Sequence, residues 1–172
     1  MLLSKSRFTP VLRILIYCAL GGLFILALLL RVALLPIETT DYTFFLSQWY
    51  DFIQSHGGFA ALQYNFSNYN ISYLSLLTVV TYLPIPKIIA IKSISIIFDG
   101  VLGLFTYLLL NLRYRGSYAA IIGALVVLFA PTIFINSSAW GQSDSIYATF
   151  CLGSLYFLLK ERPGWACAFF GL

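Results

Sequence analysis

The chain alternates long apolar runs with short polar connections. Four runs are long enough, or nearly long enough, to cross a bilayer as helices: residues 11–35, 88–112, 118–135 and 146–159. A fifth run begins at Trp165. A span needs about 20 predominantly apolar residues. The pattern therefore predicts an all-α, polytopic transmembrane helix bundle of about four full spans and a truncated fifth, with residues 1–172 forming a single membrane domain.

A shorter apolar stretch, residues 71–83, decides how the later spans are oriented. It is closed by Pro84 and Pro86, and its length predicts a juxtamembrane or re-entrant helix that does not cross. All clusters of basic residues then fall on the side of the N-terminus, as the positive-inside rule favours. They comprise Lys5, Arg7, Arg13, Arg113, Arg115, Lys160 and Arg162. We therefore expect a cytoplasmic N-terminus.

Residues 37–87 are then an extracytoplasmic loop that carries juxtamembrane helices. Before Lys87 this loop has no Lys or Arg, and its three carboxylates are Glu38, Asp41 and Asp51. The segment 136–144, which ends in Asp144, falls on the same outer face. Two acidic loops are thus expected to meet on one side of the membrane.

The outer loop opens with the pattern of a helix start. Thr40 can cap the first turn, and Asp41 suits the positive end of the helix dipole. The spacing of the apolar residues that follow predicts an amphipathic helix of the kind that lies in a membrane interface. Its expected apolar face consists of Phe45, Trp49, Phe52 and Ile53. The Gly57-Gly58 pair is expected to end the helix.

Residues 64–70 read YNFSNYN, a loop rich in aromatic and amide side chains. Such a loop, with Tyr69 as the candidate ligand contact, suits a sugar or a lipid headgroup. The same residues also suit the aromatic belt that lines membrane–water interfaces. Both interpretations keep this loop at the outer surface.

The composition agrees with a membrane protein and excludes several other classes. Hydrophobic residues make up 60% of the chain, charged residues 9%, and the mean hydropathy is +0.90. Soluble domains carry about 25% charged residues. The net charge of +4 is not gathered into a basic patch with interleaved aromatic residues, so no nucleic-acid partner is expected. Cys18, Cys151 and Cys167 lie in apolar segments and are interpreted as packing residues.

Three stretches carry a more specific signal: TTDYTFFLSQWYDFI, SIIFDGVLGLF and PTIFINSSAWGQSDSIYATF. They resemble segments of the GT-C superfamily of polytopic glycosyltransferases, and within it the bacterial relatives of the GPI mannosyltransferases. The third stretch is the most specific, because Asn-Ser-Ser followed by Trp-Gly-Gln-x-Asp-Ser-Ile-Tyr is a match of residues and not of hydropathy alone. GT-C enzymes are several hundred residues long. The resemblance therefore implies the N-terminal portion of such an enzyme, inactive as a lone chain.

The resemblance implies an inverting enzyme that moves a mannose-like sugar from a polyprenyl-phosphate donor to an acceptor glycan, lipid or protein on the outer face. By analogy, Asp41 acts as the general base or positions the acceptor hydroxyl. Asp144 orients the acceptor or the sugar, or joins a divalent metal site in members that have one. Trp140 and Gln142 line the pocket. The wording of the motifs favours a bacterial plasma membrane over the endoplasmic reticulum.

Elementary chemistry leads to the same residue types. Sugar transfer needs a carboxylate to take a hydroxyl proton and a cation to stabilise the leaving phosphate. Lys87 and Lys92 lie near the outer end of the second span and are candidates to bind the lipid phosphate. Alternatively, they extend to the interface without binding anything.

Less specific interpretations stand beside these. Asp41 and Asp144 also suit plain helix starts. Asp99 lies in mid-membrane, where an acid is either functional or bonded to a neighbouring helix. The whole chain could be a non-enzymatic membrane protein, as an assembly partner or a remnant of the enzyme. A transporter component is less favoured, because the sequence has one mid-membrane acid and no internal repeat.

Overall fold

A computed structural model describes residues 8–171, and within that range every regular element is a helix. The predicted all-α class is confirmed. Lys5 and Arg7, which contribute to the predicted orientation, and Leu172 lie outside the described residues. The α-helices are α1 (Pro10–Leu34), α2 (Ser47–Ser55), α3 (Ile71–Thr81), α4 (Lys87–Arg113), α5 (Ala119–Leu128), α6 (Pro131–Ile135), α7 (Asp144–Leu159) and α8 (Pro163–Phe170).

Two helices are long and apolar enough to cross a membrane. They are α1, with 25 residues and a mean hydropathy of 2.4, and α4, with 27 residues and a mean hydropathy of 2.0. Half of the most apolar part of α4 is buried inside the protein, compared with 11% for α1. Helix α4 is therefore the central element, and α1 leaves most of its apolar surface uncovered.

The apolar run at residues 118–135 is not the single straight span that was predicted. Helix α5 ends at Leu128, and α6 with the π-helical turn Asn136–Trp140 continues after a bend of 47°. The bend has a local cause, because Ala130 is extended (φ −64°, ψ 121°) before Pro131. Proline disfavours helical geometry in the residue that precedes it. The pair counts as a third span only if the bent helices are taken together.

The remaining apolar helices are shorter than a typical span. Helix α7 has 16 residues, α8 has eight and α3 has eleven. Helix α8 packs back on α7, where a Cβ at Gly153 would lie 2.3 Å from the ring of Phe169. Helix α3 is short, as the sequence predicted for residues 71–83. The described residues thus contain two helices of spanning length, or three with the bent pair.

The predicted amphipathic helix of the outer loop forms, but its start and its buried face differ in detail. The cap is Thr39, whose Oγ1 accepts from the amide of Tyr42 at 3.3 Å, and not Thr40. The turn Tyr42–Leu46 is π-helical. A π-helical turn is wider than an α-helical turn, so it changes which of the following residues lie on the buried face. Leu46 is consequently buried at 4% exposure, whereas Phe45 is 50% exposed.

The helices of the outer loop pack on the start of α4. Trp49, Tyr50 and Ile53 of α2 join Leu77 of α3 and Ile91 of α4 in one hydrophobic cluster. The helix α2 ends as predicted, with Gly57 in the left-handed region at φ 79°. The apolar face of α2 is therefore covered by protein, and this packing fixes the helix that begins beside Asp41.

Candidate functional site

Asp41 is the more enclosed of the two predicted catalytic acids. It lies in the first turn after Thr39 and is half-buried. The side-chain amide of Gln142 donates to its Oδ2 at 2.5 Å, across 101 residues of sequence. The contact joins the first outer loop to the second. The two loops that were expected to meet on one face do contact each other here.

Tyr69 completes a hydrogen-bonded chain with these two residues. Its hydroxyl donates to Oε1 of Gln142 at 3.0 Å. The ring of Tyr69 packs against Trp49 and Tyr73, with centroids 5.0 and 4.9 Å apart. Because the oxygen of the Gln142 amide accepts a hydrogen bond from Tyr69, the nitrogen of that amide points at Asp41. The aromatic loop therefore orients a polar group of the other loop.

A small cavity opens beside this chain. Its volume is about 180 Å³, and it is lined by Asp41, Phe45, Leu46, Trp49, Asn68, Tyr69 and Gln142. Pockets for drug-sized ligands measure roughly 300–1,000 Å³. The cavity is therefore of a size for one small ring or the end of a larger ligand. Its wall combines a carboxylate, two amides and aromatic rings.

The charges around Tyr69 link the two predicted acids. Burial raises the pKa of Tyr69 above its ordinary value of 10.0, and a hydrogen bond with Ser143 opposes that rise. The negative charges of Tyr147, Asp144 and Asp41 raise the pKa further. Both carboxylates are thus close enough to act on one phenol. At neutral pH this phenol is protonated and serves as a donor.

Asp144 lies in a different and more open setting. It is the first residue of α7, is exposed, and makes no capping bond to the helix. Asn136 donates to its Oδ2 at 2.7 Å. A broad groove of about 520 Å³ surrounds the carboxylate, lined by Pro131, Thr132, Ile135, Asn136, Trp140 and Asp144. The carboxylate is not a helix cap, although its position in the first turn still suits the helix dipole.

Trp140 and Gln142 were expected to line one pocket, but they line two. Trp140 is 44% exposed in the open groove, and Gln142 faces the smaller cavity beside Asp41. The cause is Gly141, whose φ of 74° reverses the chain between them. A Cβ there would lie 3.2 Å from Leu46 and 3.4 Å from the stem of Lys92. Both the backbone angle and the close approach require glycine.

Lys92 does not face either cavity. It is fully buried, and its ammonium donates to the carbonyls of Leu35 at 3.0 Å and Ile37 at 2.5 Å. The last carbonyls of a helix lack partners within the helix, and a lysine is one way to satisfy them. In this structure Lys92 therefore neither lines the predicted phosphate site nor extends to the interface. It fixes the chain between α1 and Asp41.

Lys87 is also occupied, but at the surface. Its ammonium forms an ion pair with both oxygens of Asp51, at 2.9 and 2.8 Å. The two side chains are 33% and 58% exposed. The sequence did not predict this partner, and exposed pairs hold their charges loosely. Lys87 can therefore exchange Asp51 for another anion.

A buried ion pair lies beneath the site. Arg31 and Asp99 are 2.8 Å apart, with side chains 4% and 0% exposed. Arg31 also donates to the carbonyls of Ala27 and Leu128, at 2.9 and 3.0 Å. Asp99 is therefore bonded to a neighbouring helix, which is one of the two roles considered from sequence. Its pairing with Arg31 was not predicted, although two opposite charges inside apolar runs indicate a pair.

The described residues do not fit a divalent metal site. Among residues 8–171 no group of three or more His, Cys, Asp or Glu side chains is placed to hold a metal ion. Asp144 has one amide partner, and Asp41 has another. We derive no step through a metal.

The chain was compared with protein families, with curated proteins and with solved structures. No family model, no curated protein and no solved structure matches it.

Proposed function

We propose that this chain carries the catalytic outer face of a polytopic membrane glycosyltransferase of the GT-C type. The reaction is the transfer of a sugar, mannose-like by resemblance, from polyprenyl phosphate to an acceptor hydroxyl outside the cytoplasm. One observation carries the proposal. Gln142, from the stretch most specific to the resemblance, donates to Asp41, the acid of the other outer loop, in a cavity lined by both residues.

Asp41 acts as the general base in this proposal. Its carboxylate takes the proton of the acceptor hydroxyl while the hydroxyl oxygen bonds to the anomeric carbon of the sugar. The bond from that carbon to the phosphate oxygen breaks, and polyprenyl phosphate leaves with the electron pair, so the configuration inverts. Because Gln142 donates to Oδ2, Oδ1 is left for the hydroxyl. A positioned base contributes about 10²–10⁴-fold to such a step.

The wall of the Asp41 cavity suits a sugar ring. A sugar presents apolar C–H faces and a rim of hydroxyl groups, which match aromatic rings and amides respectively. Trp49 and Phe45 supply the rings, and Asn68 and Gln142 supply the amides. The volume of about 180 Å³ limits this cavity to one sugar ring. The remainder of a larger acceptor would lie outside it.

Asp144 has an orienting role in this proposal and not a chemical one. It is exposed and held by Asn136, so it can accept hydrogen bonds from hydroxyl groups in the open groove. Trp140 offers a half-exposed ring in the same groove. Ring and carboxylate together suit a second sugar. This groove would hold the part of the substrate that does not react.

Lys87 is the better of the two lysines for the leaving phosphate. Its partner Asp51 is exposed and its ion pair is weak, whereas the buried ammonium of Lys92 is engaged by two backbone carbonyls. A phosphate that displaced Asp51 would find a cation at the outer end of α4. Lys87 thus supplies the positive charge that the departing polyprenyl phosphate needs.

We further propose that the bent pair α5–α6 and helix α7 cross the bilayer, with α8 starting a fifth span. The 16 residues of α7 reach about 24 Å at 1.5 Å per residue, a little short of the roughly 30 Å hydrocarbon core. Local thinning of the bilayer accommodates such a difference.

In the same proposal the N-terminus is cytoplasmic, in a bacterial plasma membrane. A reporter fused at Gly141 should face outward, and a cytoplasmic signal would contradict this orientation.

The direct test is the Asp41→Asn variant, made in a full-length context and assayed in membranes that contain the protein. The substrate is labelled polyprenyl-phosphate mannose, and the membrane's own lipids and glycans serve as acceptors. We expect loss of transfer by about 10²–10⁴-fold at an unchanged protein level. Glu38→Gln is the matched control, because it removes an exposed carboxylate of the same loop outside the cavity. Normal transfer by Asp41→Asn would refute the proposal.

A further inference from the structure

We infer that Asp99 is a positioning residue: paired with Arg31, it holds both ends of the segment 137–145 and so fixes Gln142 against Asp41. The kinetic part of this inference rests on the proposed function. The structural part does not, and it is tested separately below.

The geometry begins with the two oxygens of one carboxylate. Ser137, at the start of the segment, donates to Oδ2 of Asp99 at 2.6 Å. Ser145, at its end, donates to Oδ1. Asp99, Ser137 and Ser145 are all at least 95% buried. Both ends of the segment are therefore attached to the same point on α4.

Arg31 makes that attachment point rigid. Its Nε and its terminal nitrogen reach Oδ2 of Asp99 at 2.9 and 2.8 Å. The remaining bonds of the guanidinium, to Ala27 and Leu128, tie α1 and the end of α5 to the same centre. A planar guanidinium with several bonds fixes the direction of a carboxylate. Asp99 thus presents its oxygens to the serines in one orientation.

Hydrophobic contacts alone do not hold this segment. Trp140 is its only large apolar side chain, and it is 44% exposed. The buried side chains at its start are the small residues Ser137, Ser138 and Ala139. Gly141 packs on Leu46 and Lys92 without a side chain of its own. The bonds to Asp99 therefore attach this segment to α4, while the bonds from the backbone amide of Gln142 to the carbonyl of Asn136 and from Asn136 to Asp144 close the segment on itself.

The first experiment measures the position of the segment without any substrate. Ser143, 3% exposed, is changed to cysteine in a full chain whose exposed Cys18, Cys151 and Cys167 are alanine. A maleimide that does not cross membranes then labels the outer face. We expect slow labelling in this parent chain. In the double variant R31M/D99L we expect labelling at least about fivefold faster.

The double variant separates positioning from folding. Replacing both members of a buried ion pair with apolar residues is often neutral for stability, because no unpaired charge remains. It nevertheless removes the acceptor of both serines. The milder variants S137A and S145A each remove one bond and keep the ion pair. S154A is the matched control, because Ser154 is on the same helix and donates only to the carbonyl of Ala166.

The second experiment measures transfer in chains that keep Ser143. A misplacement of about 1 Å can cost on the order of 100-fold in rate, so we expect kcat of R31M/D99L to fall by about that factor. The KM for the lipid donor should change little, because Asp99 does not touch the cavity. S145A should lose about tenfold. S145T, which keeps the hydroxyl, should recover most of that loss.

The outcomes separate the two proposals. Faster labelling with lower kcat supports the inference. Unchanged labelling in R31M/D99L overturns it, whatever the activity. If R31M/D99L is lost from the membrane, S137A and S145A decide, and labelling equal to that of S154A overturns the inference. If the parent transfers no sugar in a full-length context, the proposed function fails while the labelling still decides the role of Asp99.

Discussion

Asp41 and Asp144 come from similar sequence settings, yet the structure gives them different surroundings. Asp41 is half-buried in a small, partly open cavity and takes its amide partner from a distant segment. Asp144 is exposed in an open groove, and its amide partner is only eight residues away. A carboxylate that must move a proton needs fixed geometry and little water. Under the proposed function, this difference favours Asp41 for the chemical step and Asp144 for the orienting role.

The largest effect that would sharpen this comparison is expected at Gly141. Gly141→Ala forces a side chain into the left-handed region and against Leu46, which displaces Gln142 from Asp41. We expect transfer to fall on the order of 100-fold. Gly116→Ala is the control, because Gly116 has a similar φ of 71° with open space around it. Equal activity in the two variants would show that glycine at position 141 only avoids backbone strain and does not position Gln142.

The next effect is the direct comparison of the two acids. Asp144→Asn keeps the shape of the side chain and removes one charge from the open groove. We expect a loss of about tenfold, mostly in KM for the acceptor, since a surface hydrogen bond to a charged group contributes about 1.5 kcal/mol. Transfer assays at varied acceptor concentration would measure it. A loss as large as that of Asp41→Asn would end the distinction between the two carboxylates.

A smaller effect is expected at Tyr69. Tyr69→Phe removes the bond that orients the Gln142 amide. We expect the rate of transfer to fall about fivefold, corresponding to roughly 1 kcal/mol for one hydrogen bond.

The raised pKa of Tyr69 leads to a second prediction, on stability at alkaline pH. Above pH 10 the unfolded chain ionises first, so the stability contributed by the protonated phenol declines as pH rises through the folded pKa. Thermal unfolding in micelles should show a smaller alkaline loss for Tyr69→Phe.

The smallest effect is expected at the exposed ion pair. Lys87→Met should change the free energy of unfolding by less than about 1 kcal/mol, because surface pairs contribute little. By contrast, Arg31→Met leaves Asp99 buried without its partner and should cost roughly 3–5 kcal/mol. Thermal unfolding of the two variants measures this contrast directly. Similar losses would mean that the surface pair is not loosely held.

The sequence predicted the all-α class, the long helices at residues 11–35 and 88–112, and the meeting of the two acidic loops. It predicted these because they follow from hydropathy and from charge placement, which are read locally. The bend before Pro131 and the pairing of Arg31 with Asp99 also have local signals, a proline and two intramembrane charges. Closer attention to those signals would have predicted both.

The rest depended on contacts that a sequence pattern does not contain. Lys92 was a candidate for the phosphate or for the membrane interface, because its backbone carbonyl partners leave no mark in the sequence. Trp140 and Gln142 were assigned to one pocket because the backbone angle of Gly141 is not visible before folding. The cap was placed one residue late, at Thr40, because two adjacent threonines suit a helix start equally well. The orientation in the membrane and the transferase activity remain predictions.

The central claim is that Asp41 and Gln142 act as one unit, and a double-mutant cycle on transfer tests it most directly. The rates of Asp41→Asn, Gln142→Ala and the double variant are compared with the unmodified chain. If Gln142 works by holding Asp41, the double variant should be no slower than Asp41→Asn alone. If the two losses multiply instead, Gln142 and Asp41 act independently, and the contact between the loops does not form the site.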